Sequence, residues 1–221
     1  LPGETARVAV GDIVAGAADE SELFLNTVVM LRNDETWAKA GHVVASEQFA
    51  LNQCRSVMPV ADNAGARAMK VYEEKDGVLR IEGDGMKAAF DKTNGRMMSL
   101  VYGGKEMIHR MQGPSFEWFR SISNDIRDRN LGSVIALKNF SYKVADDRKS
   151  IEVATAFVAT VGDEAVPHTV KYVVNANGVV EVDATFSVPQ KFSLPRLALQ
   201  TMLAPGLENV EWYGRGPMEN Y

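Results

Sequence analysis

The chain has 221 residues, of which 46% are apolar, enough for a sizeable hydrophobic core, so it is neither a disordered chain nor a small disulfide-stapled scaffold. Its 24 Lys and Arg residues are outnumbered by 29 Asp and Glu residues, giving a net charge of -5, so we expect no nucleic-acid partner. No apolar run approaches the roughly 18 residues of a membrane span, so we expect no membrane partner. The single cysteine, Cys54, cannot form an intramolecular disulfide, and three histidines are too few for a Cys/His metal site, so we expect no metal and no cofactor.

The first part of the chain predicts two strands and the end of a domain. Residues 23–31 and 43–51 are rich in β-branched and other apolar residues, a composition typical of strands. Residues 61–68 are small and polar, as in a linker. We therefore predict one domain over residues 1–60, a linker over 61–68 and a second domain over 69–221.

Hairpin signals follow one another in the predicted second domain. Asp76-Gly77 and Asn94-Gly95 each separate two short strand-like runs, and such pairs tolerate the positive φ angles of tight hairpin turns. Later strands are predicted over residues 140–144, 151–158, 170–174 and 179–188. This spacing predicts an all-β fold built from a meander of antiparallel strands.

Residues 116–130 interrupt the strand pattern. They place three aromatic residues beside several charged ones, without a period of two. Irregular segments between strands are where function tends to lie, and flat rings beside planar polar groups suit either a sugar or a domain interface.

Other residues with catalytic potential form no recognisable constellation. Glycoside hydrolysis needs two facing carboxyl groups, and Glu117, Asp125 and Glu219 are candidates, although an acid beside an arginine is commonly a structural ion pair. The three histidines are not accompanied by a Gly-x-Ser-x-Gly elbow, and Cys54 has no adjacent histidine or basic cluster that would lower its pKa. We therefore assign no catalytic residue.

The most specific motif lies in residues 211–221. Their sequence, Glu-Trp-Tyr-Gly-Arg-Gly-Pro-Met-Glu-Asn-Tyr, resembles the W-Y-G-R-G-P-x-E-N-Y signature of large bacterial β-galactosidases of the LacZ type, in the second family of glycoside hydrolases. Residues 119–126 are similar to that family's F-W-R-A-P-T-D-N-D pattern, and residues 37–42 to its W-A-x-x-G-H pattern. The resemblance implies a mainly structural role for Trp212, Gly214, Arg215, Gly216, Pro217, Glu219 and Asn220.

The resemblance also implies an architecture. Residues 1–60 resemble part of the family's fourth domain, an immunoglobulin-like β-sandwich. Residues 69–221 resemble the first part of its fifth, small-chain domain, a large antiparallel supersandwich of the galactose-mutarotase-like type. Because the sequence stops at Tyr221, in the middle of the family's E-N-Y-x-D-R continuation, we expect an incomplete sandwich with exposed strand edges, which favours self-association or modest stability.

For function, the resemblance implies a supporting role. The family's catalytic glutamates lie in a barrel domain whose motifs do not occur here, so the chain alone is expected to be inactive. The resemblance implies that a pocket-wall role falls on Trp118, Phe119, Arg120, Asn124 and Asp125.

Two functional hypotheses remain open from the sequence. In the first, the chain is a non-catalytic C-terminal part of an enzyme that hydrolyses terminal β-D-galactosides. It would then meet the galactoside only within a composite pocket formed with the enzyme's other domains, and it would help to hold a homo-oligomer together. In the second, it is an independent carbohydrate-binding module. A mutarotase-type epimerase is disfavoured because no histidine here lies in a matching catalytic motif. From the sequence we expect a soluble protein, and both the cytoplasm and the periplasm remain open as its location.

Overall fold

The computed structural model describes Thr5, Arg7 and residues 23–51, 62–119, 133–192 and 194–211. Within these residues the chain forms thirteen strands and one 3-10 turn, which confirms the all-β prediction. The strands are β1 (Phe24–Met30), β2 (Val43–Ala50), β3 (Lys70–Glu73), β4 (Val78–Glu82), β5 (Met86–Asp91), β6 (Met97–Tyr102), β7 (Lys105–Glu106), β8 (Ser115–Glu117), β9 (Ser133–Val144), β10 (Ser150–Val161), β11 (Glu164–Asn175), β12 (Val180–Phe186) and β13 (Ala198–Gln200).

The chain divides into two compact units, Leu1–Val60 and Ala61–Tyr221. In the first unit, β1 and β2 form an antiparallel hairpin whose register runs from Phe24 opposite Ala50 to Met30 opposite Val43, with a bulge near its end. All side chains of these two strands are exposed or half-buried, apolar ones included. A two-stranded hairpin of this kind is only marginally stable in water when it is isolated.

The described residues of the second unit form three antiparallel sheets. Their strand orders are β3-β4-β5-β6-β7, β12-β11-β10-β9 and β13-β8. The predicted turns Asp76-Gly77 and Asn94-Gly95 join β3 to β4 and β5 to β6, and both glycines have positive φ, so these hairpin predictions are confirmed.

The main core lies between the two larger sheets. Alternate side chains of β10, such as Ile151 and Val153, are buried against Leu79 and Ile81 of β4. The rings of Phe90 and Tyr172, from opposite sheets, lie 5.1 Å apart at an interplanar angle of 66°. The two sheets therefore pack face to face as a β-sandwich, the arrangement in which alternating side chains build the core.

Two local contacts fix the hairpins of the five-stranded sheet. The Glu106 carboxylate on β7 accepts hydrogen bonds from Ser99 Oγ (2.5 Å) and from the backbone N–H groups of Leu100 and Ile108 (2.9 Å each). Gly95 lies against the opposite sheet, where an added Cβ would be 2.5 Å from Leu137 Cδ1. The turn between β5 and β6 therefore requires glycine both for its φ and for its packing.

Residues 62–66, within the predicted linker, make specific hydrogen bonds to the second unit. Asn63 Nδ2 donates to Asn175 Oδ1 (3.1 Å), Asn63 Oδ1 accepts from Asn177 N (3.1 Å), and the Asn63 carbonyl accepts from Lys149 Nζ (3.1 Å). Because one amide side chain both donates and accepts, this short segment is fixed to the turn after β11. The assignment of the two units to particular domains stays a prediction.

Candidate functional site

The predicted pocket-wall residues are only partly within the described chain. Trp118 and Phe119 follow β8 and are described, whereas Arg120, Asn124 and Asp125 lie outside the described residues. The C-terminal motif residues also lie outside them; these are Trp212, Gly214, Arg215, Gly216, Pro217, Glu219 and Asn220.

Trp118 is part of a second hydrophobic cluster. Its side chain is 5% exposed and belongs to the cluster formed by Phe116 on β8 with Ala159, Val161 and Val166 from the four-stranded sheet. The ring of Phe119, which is half-buried, meets the Trp118 ring edge to face at 5.9 Å. Trp118 therefore serves as a packing residue here and offers no open ring face to a sugar.

The chain leaves β8 in a fixed direction. Glu117 Oε1 accepts a hydrogen bond from the backbone N–H of Phe119 (2.8 Å). β8 itself is paired with β13, with Phe116 opposite Leu199. Buried rings on both sides of Glu117 and this hydrogen bond together anchor the start of the predicted wall segment.

His168 lies beside this cluster in a stack of aromatic rings. Its ring is 5.1 Å from Phe157 and 5.5 Å from Phe186, with interplanar angles of 19° and 25°, and 5.3 Å from Phe116. The side chain is 4% exposed, and Nδ1 lies 3.2 Å from the carbonyl oxygen of Val166. Burial lowers the pKa of His168, against the opposing effect of the Val166 hydrogen bond. Because the His168 ring is buried among three phenylalanine rings, it is not placed to exchange a proton with a substrate.

The segment after β7 has unusual backbone geometry. Arg110 (φ 50°, ψ 35°) and Met111 (φ 60°) are consecutive non-glycine residues in the left-handed region, a conformation that costs about 1–3 kcal/mol each. Three backbone hydrogen bonds hold the segment: His109 N to Met202 O (2.8 Å), Met202 N to Gln112 O (2.9 Å) and Gly113 N to Met97 O (3.2 Å).

This segment borders a cleft. A cavity of about 380 Å³ is lined by residues that include Asp91, Asn94, Arg96, Arg110, Gln112 and Ile135. A second cavity of about 200 Å³ shares Arg96, Gln112 and Ile135 and extends towards Glu117 and Gln200. The two cavities are therefore lobes of one cleft, named here the Arg96 cleft.

The charged groups of the Arg96 cleft are unequally engaged. The Asp91 carboxylate accepts hydrogen bonds from Thr93 N (2.8 Å), Thr93 Oγ1 (2.6 Å) and Asn94 Nδ2 (2.6 Å). Neither Arg96 nor Arg110 forms an ion pair with any residue that the structure describes. Burial raises the pKa of the nearby Tyr172 hydroxyl, and the positive charge of Arg96 opposes this effect.

Two kinds of feature are absent from the described ranges. These ranges hold no group of three or more His, Cys, Asp or Glu side chains that could bind a metal ion. They also hold no helix that is long and apolar enough to cross a membrane.

Comparison with known families identifies the class of protein. Residues 82–221 match the family described as Beta galactosidase small chain, and residues 1–52 match the family described as Beta-galactosidase, domain 4. Both matches concern β-galactosidase domains, and their order is the one implied by the sequence motifs. The chain belongs to the β-galactosidase small-chain family, which confirms the resemblance drawn from those motifs.

The relatives are much longer than this chain. It is 28% identical to the β-galactosidase of Halalkalibacterium halodurans over 220 residues, covering 93% of this chain and 21% of the relative. It is also 28% identical to the β-galactosidase of Lactobacillus delbrueckii subsp. bulgaricus over 219 residues, covering 93% of this chain and 20% of the relative. It is 26% identical to the β-galactosidase of Kluyveromyces lactis over 214 residues, covering 88% of this chain and 20% of the relative. The chain thus spans about a fifth of the length of these curated relatives.

Proposed function

We propose that this chain is a non-catalytic part of a β-galactosidase that hydrolyses terminal β-D-galactosides. The observation that carries the proposal is the ordered pair of family matches, over residues 1–52 and 82–221. The relatives named β-galactosidase align over about nine-tenths of the chain, which adds support. The reaction itself belongs to the whole enzyme, and no metal or cofactor is assigned to this chain.

Within that enzyme, we propose that the segment after β8 forms part of the wall of the substrate pocket. Phe119, Arg120, Asn124 and Asp125 would face the galactoside, whereas the buried Trp118 would hold the base of the wall in place. The anchoring of β8 supports this division, because binding groups act best when a packed element positions them.

We further propose that exposed apolar side chains serve contacts with the enzyme's other domains and with further copies of it. Trp37 is 64% exposed and Val134 69% exposed, and several neighbouring residues of β1 and β2 are similarly open. Surfaces that expose many large apolar side chains commonly mark interaction sites.

The test uses the full-length enzyme that contains this chain. Arg120→Ala, Asn124→Ala and Asp125→Ala are expected to raise KM for a nitrophenyl β-galactoside and to lower kcat/KM by about tenfold, the loss of one charge-assisted hydrogen bond. Arg67→Ala, an exposed arginine in the second unit, is the matched control and should leave both values unchanged. Unchanged KM in all three variants would contradict the wall proposal.

A second measurement separates the wall from an independent binding module. The isolated chain is expected to show no hydrolysis and little heat on titration with galactose, because the other side of the pocket is missing. Millimolar galactose binding that is lost in Phe119→Ala would instead favour the module.

A further inference from the structure

We propose that the Arg96 cleft binds a small ligand through an oxyanion, either a carboxylate or a phosphate or sulfate group, with Arg96 and Arg110 as its charged contacts. The proposal goes beyond the function proposed above, and its test uses no galactoside.

The first support is the charge of the larger lobe. Its lining contains two arginines and one aspartate, leaving one net positive charge in a chain whose overall charge is -5. The smaller lobe adds the carboxylate of Glu117, which accepts a hydrogen bond from Phe119 N. The aspartate of the larger lobe, Asp91, accepts three hydrogen bonds from Thr93 and Asn94, so its carboxylate is held in its own turn. By contrast, Arg80 outside the cleft is paired with Glu74 at 2.7 Å. The cleft arginines therefore keep guanidinium donors that a ligand can use.

The second support is that the two arginines stand on fixed backbone. Arg96 is half-buried at the start of β6, beside the sandwich core. Arg110 is exposed, but its backbone is held in the left-handed region by the hydrogen bonds of residues 109, 112 and 113. Gly113 is part of this arrangement, because a Cβ there would lie 2.2 Å from the Met97 carbonyl oxygen. Backbone strain that the surroundings enforce is concentrated at ligand sites in proteins.

The third support is the size and lining of the cleft. Its larger lobe, about 380 Å³, lies within the roughly 300–1,000 Å³ range of small-molecule sites. Asn94 and Gln112 add amide groups, while Met98 and Ile135 add apolar surface. A guanidinium fork matches both planar carboxylates and phosphate oxygens, which is why the oxyanion is the common element of the proposed ligand.

The test is calorimetric titration of the chain with inorganic phosphate, sulfate and acetate at low ionic strength. At least one of these anions should bind in the millimolar range, and added sodium chloride should weaken binding. Arg96→Gln and Arg110→Gln should each weaken binding by about tenfold, the effect of losing one charge-assisted contact. Arg67→Gln removes an exposed arginine of the same unit outside the cleft and should leave the affinity unchanged.

Each outcome bears on the proposal. Tighter binding of phosphate or sulfate than of acetate assigns the cleft to a phosphate or sulfate ester, and the reverse order assigns it to a carboxylate. Absence of millimolar binding by all three anions, or an equal loss in Arg67→Gln, would overturn the proposal. Arg110→Gln changes an exposed side chain, so the variant is expected to fold normally. A thermal unfolding curve equal to that of the unmodified chain would show that any loss of anion binding is not caused by unfolding. Failure here leaves the proposed β-galactosidase role untouched, since that role is tested by the kinetics of other residues.

Discussion

The buried position of His168 predicts that acidification destabilises the second unit. The rings packed against it within the described residues belong to Phe116, Phe157 and Phe186, and no neighbouring charge affects its pKa. Burial holds the folded-state pKa below the ordinary value of 6.5, so the unfolded chain takes up a proton first as the pH falls. This contribution to stability is therefore fully present above about pH 6.5 and is lost progressively as the pH falls from there towards the folded-state pKa.

The size of the effect follows from the linkage of one proton. Between the two pKa values the free energy of unfolding should fall by at most about 1.4 kcal/mol per pH unit because of this histidine. The assay is urea unfolding at intervals from pH 5 to pH 8, with His168→Phe as the variant that keeps an aromatic ring in the stack but cannot titrate. His42→Gln, at an exposed position, is the control and should retain the pH dependence of the unmodified chain.

The refuting result is specific. If the unmodified chain and His168→Phe lose unfolding free energy with the same slope between pH 7 and pH 5, the imidazole does not resist protonation in the folded state. The inference from its burial would then be wrong, however stable the variant is.

Three substitutions test the packing and hydrogen bonding directly, each by urea unfolding at pH 7. Gly95→Ala should lower the free energy of unfolding by about 2–5 kcal/mol, because of the positive φ at this position and the clash of the new Cβ with Leu137. The control is Gly104→Ala, where φ is +81° and nothing lies within 4 Å, and it should cost only about 1–2 kcal/mol. Equal losses in the two variants would contradict the clash. Glu106→Gln should lower the free energy of unfolding by about 1–2 kcal/mol. Burial opposes ionisation of Glu106, but the hydrogen bonds to its carboxylate outweigh this effect and lower its pKa. The difference in stability between the two proteins should therefore vanish as the pH falls from 4.5 through the pKa of Glu106 in the folded state. Trp118→Ala should cost about 3–5 kcal/mol, and a loss below about 1 kcal/mol would show that Trp118 is not a core residue.

The hairpins were predictable because their signals are local. Asp-Gly and Asn-Gly pairs adopt positive φ at low cost, and the glycines at 77 and 95 have φ of +86° and +74°. Strand lengths were less predictable. β11 was predicted from residue 170, but it begins at Glu164 and runs through Pro167, a residue that usually disfavours strand. Residues 164–167 pair with β10, where Pro167 lies opposite Val158, and this pairing is provided only by the folded sheet.

The site was less predictable than the fold because its contacts are long-range. The resemblance drawn from the sequence placed Trp118 in the predicted pocket wall. Its burial depends on residues about forty positions away on β10 and β11, with Ala159 and Val166 in the same cluster. The Arg96 cleft carried no sequence signal at all, since its arginines lie on separate elements and only the folded chain brings them together.

The aromatic stack links the pH prediction to the proposed pocket wall. Phe116 contacts His168 and directly precedes Glu117, whose carboxylate holds the N–H of Phe119. A proton on His168 would place a charge against the Phe116 ring, on the strand that anchors the wall. We therefore expect KM of the full-length enzyme for a nitrophenyl β-galactoside to rise between pH 7 and pH 5, and to rise less in His168→Phe. Titrating groups elsewhere in the full-length enzyme are common to both proteins, so their contribution cancels in the ratio of the two KM values. A ratio that is constant over this pH range would show that the stack and the wall are not coupled.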